Sequence, residues 1–212
     1  MSSSKMPRVT TPTGLAVWPK LNEPDRKFQP EGVYEVTLRL PEDEADDLIA
    51  KFMDIHAEAY RQVCSQQGKK ALKKAALPWK TAEEWDKETE TKIEKPGFID
   101  FKFKMKAKVT SRSGKSWEQR PALFDARLTP LPADADPIGG GSKIRISIEV
   151  YAWYSASLGF GLTLRPKAVQ VIELKTYSGS DGNHGFEAED GFTVSPDFAP
   201  STNEGDQADP DF

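Results

Sequence analysis

Lys102, Lys104, Lys106 and Lys108 alternate with Phe101, Phe103, Met105, Ala107 and Val109. Successive side chains of an extended chain point to opposite faces, so Ile99 and the other apolar residues form a core face and the lysines a cationic one. Lysines two apart stand about 6.5 to 7 Å from each other, a spacing suited to successive phosphates of an extended nucleic-acid backbone. A solvated sheet face or a lysine-blunted edge strand has the same pattern. A second run places Ile144, Ile146, Ile148, Val150 and Ala152 on one face and Lys143, Arg145, Tyr151 and Trp153 on the other. Aromatic rings that a core does not use can stack on unpaired bases, at about 1 to 3 kcal/mol per base. Trp117, beside Arg112 and Lys115, is a third candidate of this kind, and Tyr154 a fourth. The alternative for Tyr151 and Trp153 is burial under a helix or a subunit partner.

Catalytic chemistry has little support. Cys64 is the one cysteine and His56 and His184 the two histidines, which excludes a disulfide framework or cysteine-rich zinc site and leaves little for a histidine-based one. Gly139, Gly140 and Gly141 lack the following Lys-Ser/Thr of a phosphate-binding loop. The body's carboxylates are scattered, so we expect no enzyme, cofactor or metal, with a carboxylate-metal nuclease as a minor alternative. No window of about 18 apolar residues occurs, and a soluble cytoplasmic protein without membrane contact is expected.

The net charge of −4 hides an asymmetry. All 29 lysines and arginines lie at or before Lys175, whereas nine of the 33 acids follow it; the first 175 residues are therefore net +5 and the remainder −9. A cationic body argues for a polyanionic ligand.

The positioning elements follow from periodicity. Val9 to Lys20 is β-prone, Leu21 to Gln29 reads as a loop, and Val33 to Leu40 alternates cleanly. Ala45, Leu48, Ile49, Phe52, Met53, Ile55, Ala59, Tyr60 and Val63 recur at helical spacing, so one amphipathic helix is expected from about Glu42 to Gln67. Gly68 to Lys74 reads as its solvated basic end. Thr81 to Glu84 matches a capping box and predicts a short helix containing Trp85, stopped by Pro96 and Gly97. Ser111 to Ser116 reads as a hairpin tip, Trp117 to Leu128 as its returning strand, Pro130 to Gly141 as an irregular loop, and Phe160 to Leu174 as further strands. Residues 176–212 are polar and acidic and are expected to be disordered. The sum is a β-rich small barrel with one inserted helix, of which the oligonucleotide/oligosaccharide-binding (OB) fold is the best-known example.

Several segments in this order resemble the single-stranded-DNA-binding replication proteins of tailed phages, typified by the T-odd podophages. They are Gly139 to Ser142 entering the strand Lys143 to Val150, then Val150-Tyr151-Ala152-Trp153-Tyr154, Gly159-Phe160-Gly161-Leu162 to Leu164, Lys167 to Leu174, and the acidic tail closed by Phe212. The resemblance implies an OB fold, commonly dimeric, that coats single strands and promotes annealing. It also implies a tail that competes with DNA and docks its final aromatic on replication proteins such as DNA polymerase or helicase-primase. Asp206, Asp209, Asp211 and Phe212 would form that tip. An acidic-tailed protein scaffold without nucleic-acid binding is the competing expectation.

Overall fold

The computed structural model describes residues 6–111, 113–132 and 134–176. Ten strands and one helix follow in the order β1 (Arg8–Thr10), β2 (Gly14–Asp25), β3 (Val33–Pro41), α1 (Glu42–Gln66), β4 (Trp79–Asp86), β5 (Thr91–Lys106), β6 (Lys108–Thr110), β7 (Ser116–Glu118), β8 (Ala122–Phe124), β9 (Lys143–Ser155) and β10 (Gly159–Glu173). The three alternating runs behave as their period dictates. Val36, Leu38, Leu40, Phe101, Phe103, Ile144, Ile146 and Ile148 are buried, and their neighbours in sequence face outward.

Strands β2, β3, β5, β10 and β9 close into a ring: each pairs with the next, and β9 returns to β2. All contacts in the ring are antiparallel except β5 with β10. Taken in chain order, the five are joined 1-2-3-5-4-1, the closed Greek-key barrel of the OB fold. Closure leaves no free edge in the ring; β1 extends the pairing of β9, β8 that of β10 and β4 that of β5.

Helix α1 follows β3 and precedes β4 in the chain. Its first turn carries Glu42, Asp43 and Glu44, which favour the positive end of the helix dipole. Its apolar stripe, Ala45, Leu48 and Phe52, packs on the barrel, with the Phe52 ring 5.6 Å from Trp79 and 6.1 Å from Phe101. Leu48 and Phe52, removed from water, each contribute about 1.5 to 3 kcal/mol.

Five expectations are corrected. Thr81 to Glu84 belongs to strand β4 rather than a helix, because Trp79 to Asp86 pairs along β5 and that ladder outweighs a local capping pattern. Pro96 and Gly97 do not interrupt β5: the register jumps from Thr81 opposite Ile99 to Ala82 opposite Lys95, and the intervening residues bulge out with Gly97 at φ +81°. Leu21 to Asp25 continues β2 instead of looping, with Leu21 buried. Beyond the helix, the 68–74 segment lies on the barrel: Phe160 N–H donates to the Lys73 carbonyl and Ala75 N–H to the Phe160 carbonyl. A side chain at Gly159 would stand 2.4 Å from that Lys73 oxygen. Of the expected return strand, Ser116–Glu118 pairs with Lys108–Thr110, while Ala122–Phe124 runs parallel to β10.

His56 is 3% exposed, between Tyr60 and Phe160, and its Nε2 has no hydrogen-bond partner among the described residues. Burial, reinforced by Lys74, pushes its pKa below the ordinary value. The unfolded chain therefore takes up the proton first, so the contribution of neutral His56 is complete above about pH 6.5 and is lost as the pH falls below it towards the folded-state value. We expect Tm to decline from pH 7.5 to 5.5 and the decline to be shallower in His56→Leu; identical profiles would refute this.

Candidate nucleic-acid interface

The outward face of the barrel follows from the same two-residue period. Across β3 and β5, Val33 stands opposite Lys106, Glu35 opposite Lys104 and Thr37 opposite Lys102. The parallel pairing of Leu164 with Phe103 sets β10 beside β5, and Thr163 stands opposite Tyr151 on β9. Lys102, Lys104, Lys106, Tyr151 and Arg165 thus share one surface. They line a groove of about 570 Å³, with Trp117 from the β6–β7 hairpin and Phe28 from the β2–β3 loop among its walls. In OB folds the face of the second and third barrel strands and the loop between the first two form the oligonucleotide-binding surface; here those are β3, β5 and the loop holding Phe28.

The charges of the groove are loosely held. Lys102 Nζ lies 3.5 Å from Glu35 and Lys106 Nζ 3.5 Å from Glu31, both pairs solvent-exposed and weak. Lys104 has no carboxylate partner among the described residues. Such lysines can exchange a carboxylate for a phosphate at little cost. The aromatic side is organised differently. The Arg165 guanidinium lies 3.8 Å from the centre of the Tyr151 ring, a cation–π stack that fixes a flat shelf. Trp117 is 45% exposed and Phe28 84% exposed. Neither ring is needed by the core.

The structure therefore brings Lys102, Lys104, Lys106, Trp117 and Tyr151 together, and the other described candidates are not among the residues lining that groove. Lys108 falls beyond the break in the strand at Ala107 and lines a different hollow, with Glu118 and Arg120. Lys115 sits exposed on the hairpin. Lys143 is held by Glu173 at 2.6 Å, and this hydrogen bond keeps the Glu173 carboxyl below its ordinary pKa. Arg145 donates to the Thr11 carbonyl. Both lie on the face of β9 that carries Tyr151, but Lys143 is eight residues, about 26 Å, along the strand. Trp153 stands opposite Gly161 and covers it: a side chain there would meet the indole at 2.5 Å. Tyr154 has the parity of Val150 and packs against the core. Arg112 and the tail residues Asp206, Asp209, Asp211 and Phe212 lie outside the described residues.

Phe28 and Arg165 were not anticipated from sequence. An aromatic in a polar loop has no periodicity, and the Arg165–Tyr151 stack appears only once the strand register is known. Among the described residues no group of three or more His, Cys, Asp or Glu could hold a metal ion, and no helix is long and apolar enough to cross a membrane.

No family model matches the chain. Solved structures do: the fold is that of the phage single-stranded DNA-binding proteins. The protein from bacteriophage Enc34, in a structure with single-stranded DNA, superposes with a TM-score of 0.51 at 17% identity over 79% of this chain and 87% of that one. The crystal structure of gp2.5, a single-stranded DNA-binding protein of bacteriophage T7, gives a TM-score of 0.65 at 22% identity, covering 90% of this chain and all (100%) of that one. In sequence the chain is homologous to the single-stranded DNA-binding protein of Escherichia phage T7, with 25% identity over 203 residues, 89% of this chain and 83% of the relative. The resemblance to the tailed-phage proteins is borne out.

Proposed function

We propose that this chain binds single-stranded DNA with little sequence preference and coats unpaired strands during phage DNA replication, recombination and repair, without catalysing a reaction. One observation carries the reading: exposed lysines and exposed aromatic rings, drawn from four separate elements, line a single groove on the oligonucleotide-binding face of the barrel. The lysines neutralise phosphates and the rings take the bases. Since every base has a π-face and stacking does not distinguish bases strongly, sequence preference is low. The homology to the phage T7 protein and the fold shared with the Enc34 protein support the same reading.

We further propose that residues 176–212 form an acidic extension that competes with DNA for this groove. Released by DNA, it offers Asp206, Asp209, Asp211 and Phe212 to replication proteins such as a polymerase or helicase-primase in the host cytoplasm. The working unit on this reading is a homodimer.

Fluorescence anisotropy with labelled oligo-dT at several salt concentrations tests the binding. With about four phosphates neutralised, log affinity should fall with log salt at a slope of roughly −3, and deletion of residues 181–212 should tighten binding. Absence of binding, or binding indifferent to salt, would refute the DNA-coating reading; unchanged or weaker affinity after truncation would refute the competing tail.

A further inference from the structure

Two tryptophans remain unexplained by the groove described above. Trp18 is 80% exposed and Trp85 60% exposed, on different strands, yet both line a second groove of about 940 Å³. Trp18 also has a positive φ of 49°, at the place where the pairing of β2 with β3 jumps from Val17–Thr37 to Lys20–Glu35. A bulky aromatic in this left-handed region is strained, and such strain recurs at ligand sites. Here the strain holds an indole out in water, which serves neither the core nor the ladder.

The second groove is continuous with the first. Lys102 lines both. Along β5 the outward residues run Lys106, Lys104, Lys102 and Asp100, about 20 Å by the rise of a strand, and the first groove occupies one end of this row and the second the other. The charges differ along the way. In the second groove Arg39 is tied to Asp100 and Lys80 to Glu83, so two of its four cations are already neutralised by carboxylates, and a third, Lys102, is shared with the first groove. What it offers a polyanion is aromatic surface.

We infer that the Trp18–Trp85 groove is a second base-binding subsite, in which one strand of unpaired DNA that leaves the lysine groove across Lys102 stacks further bases on the two indoles. The inference rests on the DNA-binding reading above. A protein partner is the less favoured occupant because the track is shared with the lysine row. The two grooves then divide the work: the first supplies most of the phosphate contacts together with stacking, the second chiefly stacking. A strand too short to leave the first groove gains nothing from the second.

The test uses the full chain and its Trp18→Ala/Trp85→Ala double variant, with labelled oligo-dT of about 4 and about 12 nucleotides, one at the short end of the range one OB fold occupies and one well inside it. For the longer oligonucleotide the double variant should bind at least tenfold more weakly, since each lost stack is worth roughly 5- to 150-fold. Its salt slope should be unchanged, and the short oligonucleotide should bind as in the parent. The Trp18→Phe/Trp85→Phe variant, which keeps two stacking rings, should retain most of the long-strand affinity. Unaltered long-strand binding in the alanine variant, or an equal loss at both lengths, would overturn the second subsite while leaving the first groove intact. Failure of the parent to bind either oligonucleotide would instead overturn the DNA-binding reading, and this inference with it.

Discussion

Replacing Lys102, Lys104 and Lys106 together by alanine is expected to weaken oligo-dT binding by about 10²-fold at 0.1 M salt and to flatten the salt dependence by about 2 in slope. Both figures follow from roughly 0.7 in log affinity per decade of salt for each phosphate contact on a single strand. The three side chains are exposed on the groove and their ion pairs are long, so the substitution removes binding charge with little effect on folding. The corresponding change at Lys108, which lines another hollow, should alter affinity far less. Measurement of Kd against salt for the triple variant and for Lys108→Ala checks both. An unchanged slope in the triple variant would mean that the row is only a solvated face.

Asp100→Ala should lower stability by about 3 kcal/mol and Tm by roughly 6 to 12 °C. Asp100 and Arg39 stand opposite each other across β3 and β5. The guanidinium donates from Nε and Nη2 to the two carboxylate oxygens, both at 2.8 Å, and from Nη2 to the Glu83 carbonyl at 2.7 Å. The side chains are only 14% and 11% exposed. The hydrogen bond to Asp100 dominates, against burial, in raising the Arg39 pKa above its ordinary value. Deleting the acid leaves a largely desolvated cation without its partner. The double variant Arg39→Met/Asp100→Ala should be more stable than Asp100→Ala alone. Thermal melts of the three proteins decide this; a fall of less than about 2 °C for Asp100→Ala would place the pair with ordinary surface ion pairs.

The parts of the fold that were legible in the sequence are those where one face is core. Ile144 to Val150 and Tyr34 to Leu40 alternate because the barrel buries every second residue, and Ala45 to Phe52 recurs at helical spacing because one stripe packs on it. The lysine row at 102, 104 and 106 was legible for the same reason. Beyond it, local patterns misled wherever distant pairing decided the outcome. The capping box at Thr81 to Glu84 lost to the ladder with β5, and with it the outward placement of Trp85 was hidden. Lys143 and Arg145 share a face with Tyr151 but not a location, a distinction that alternation alone does not make. Tyr154 was a case in which the period did carry the answer: it has the parity of Val150, and it sits on the core side.

The side chains of the two main strands meet in one groove, and it is on that meeting that the account turns. Photo-crosslinking of the full chain to a halogenated oligo-dT, followed by peptide mass spectrometry, reads it directly. The account predicts adducts at Trp117, Tyr151 or Phe28, lost when free oligo-dT competes. Adducts confined to helix α1 or to the Lys143–Glu173 end of the barrel, with none in the lysine groove, would contradict it.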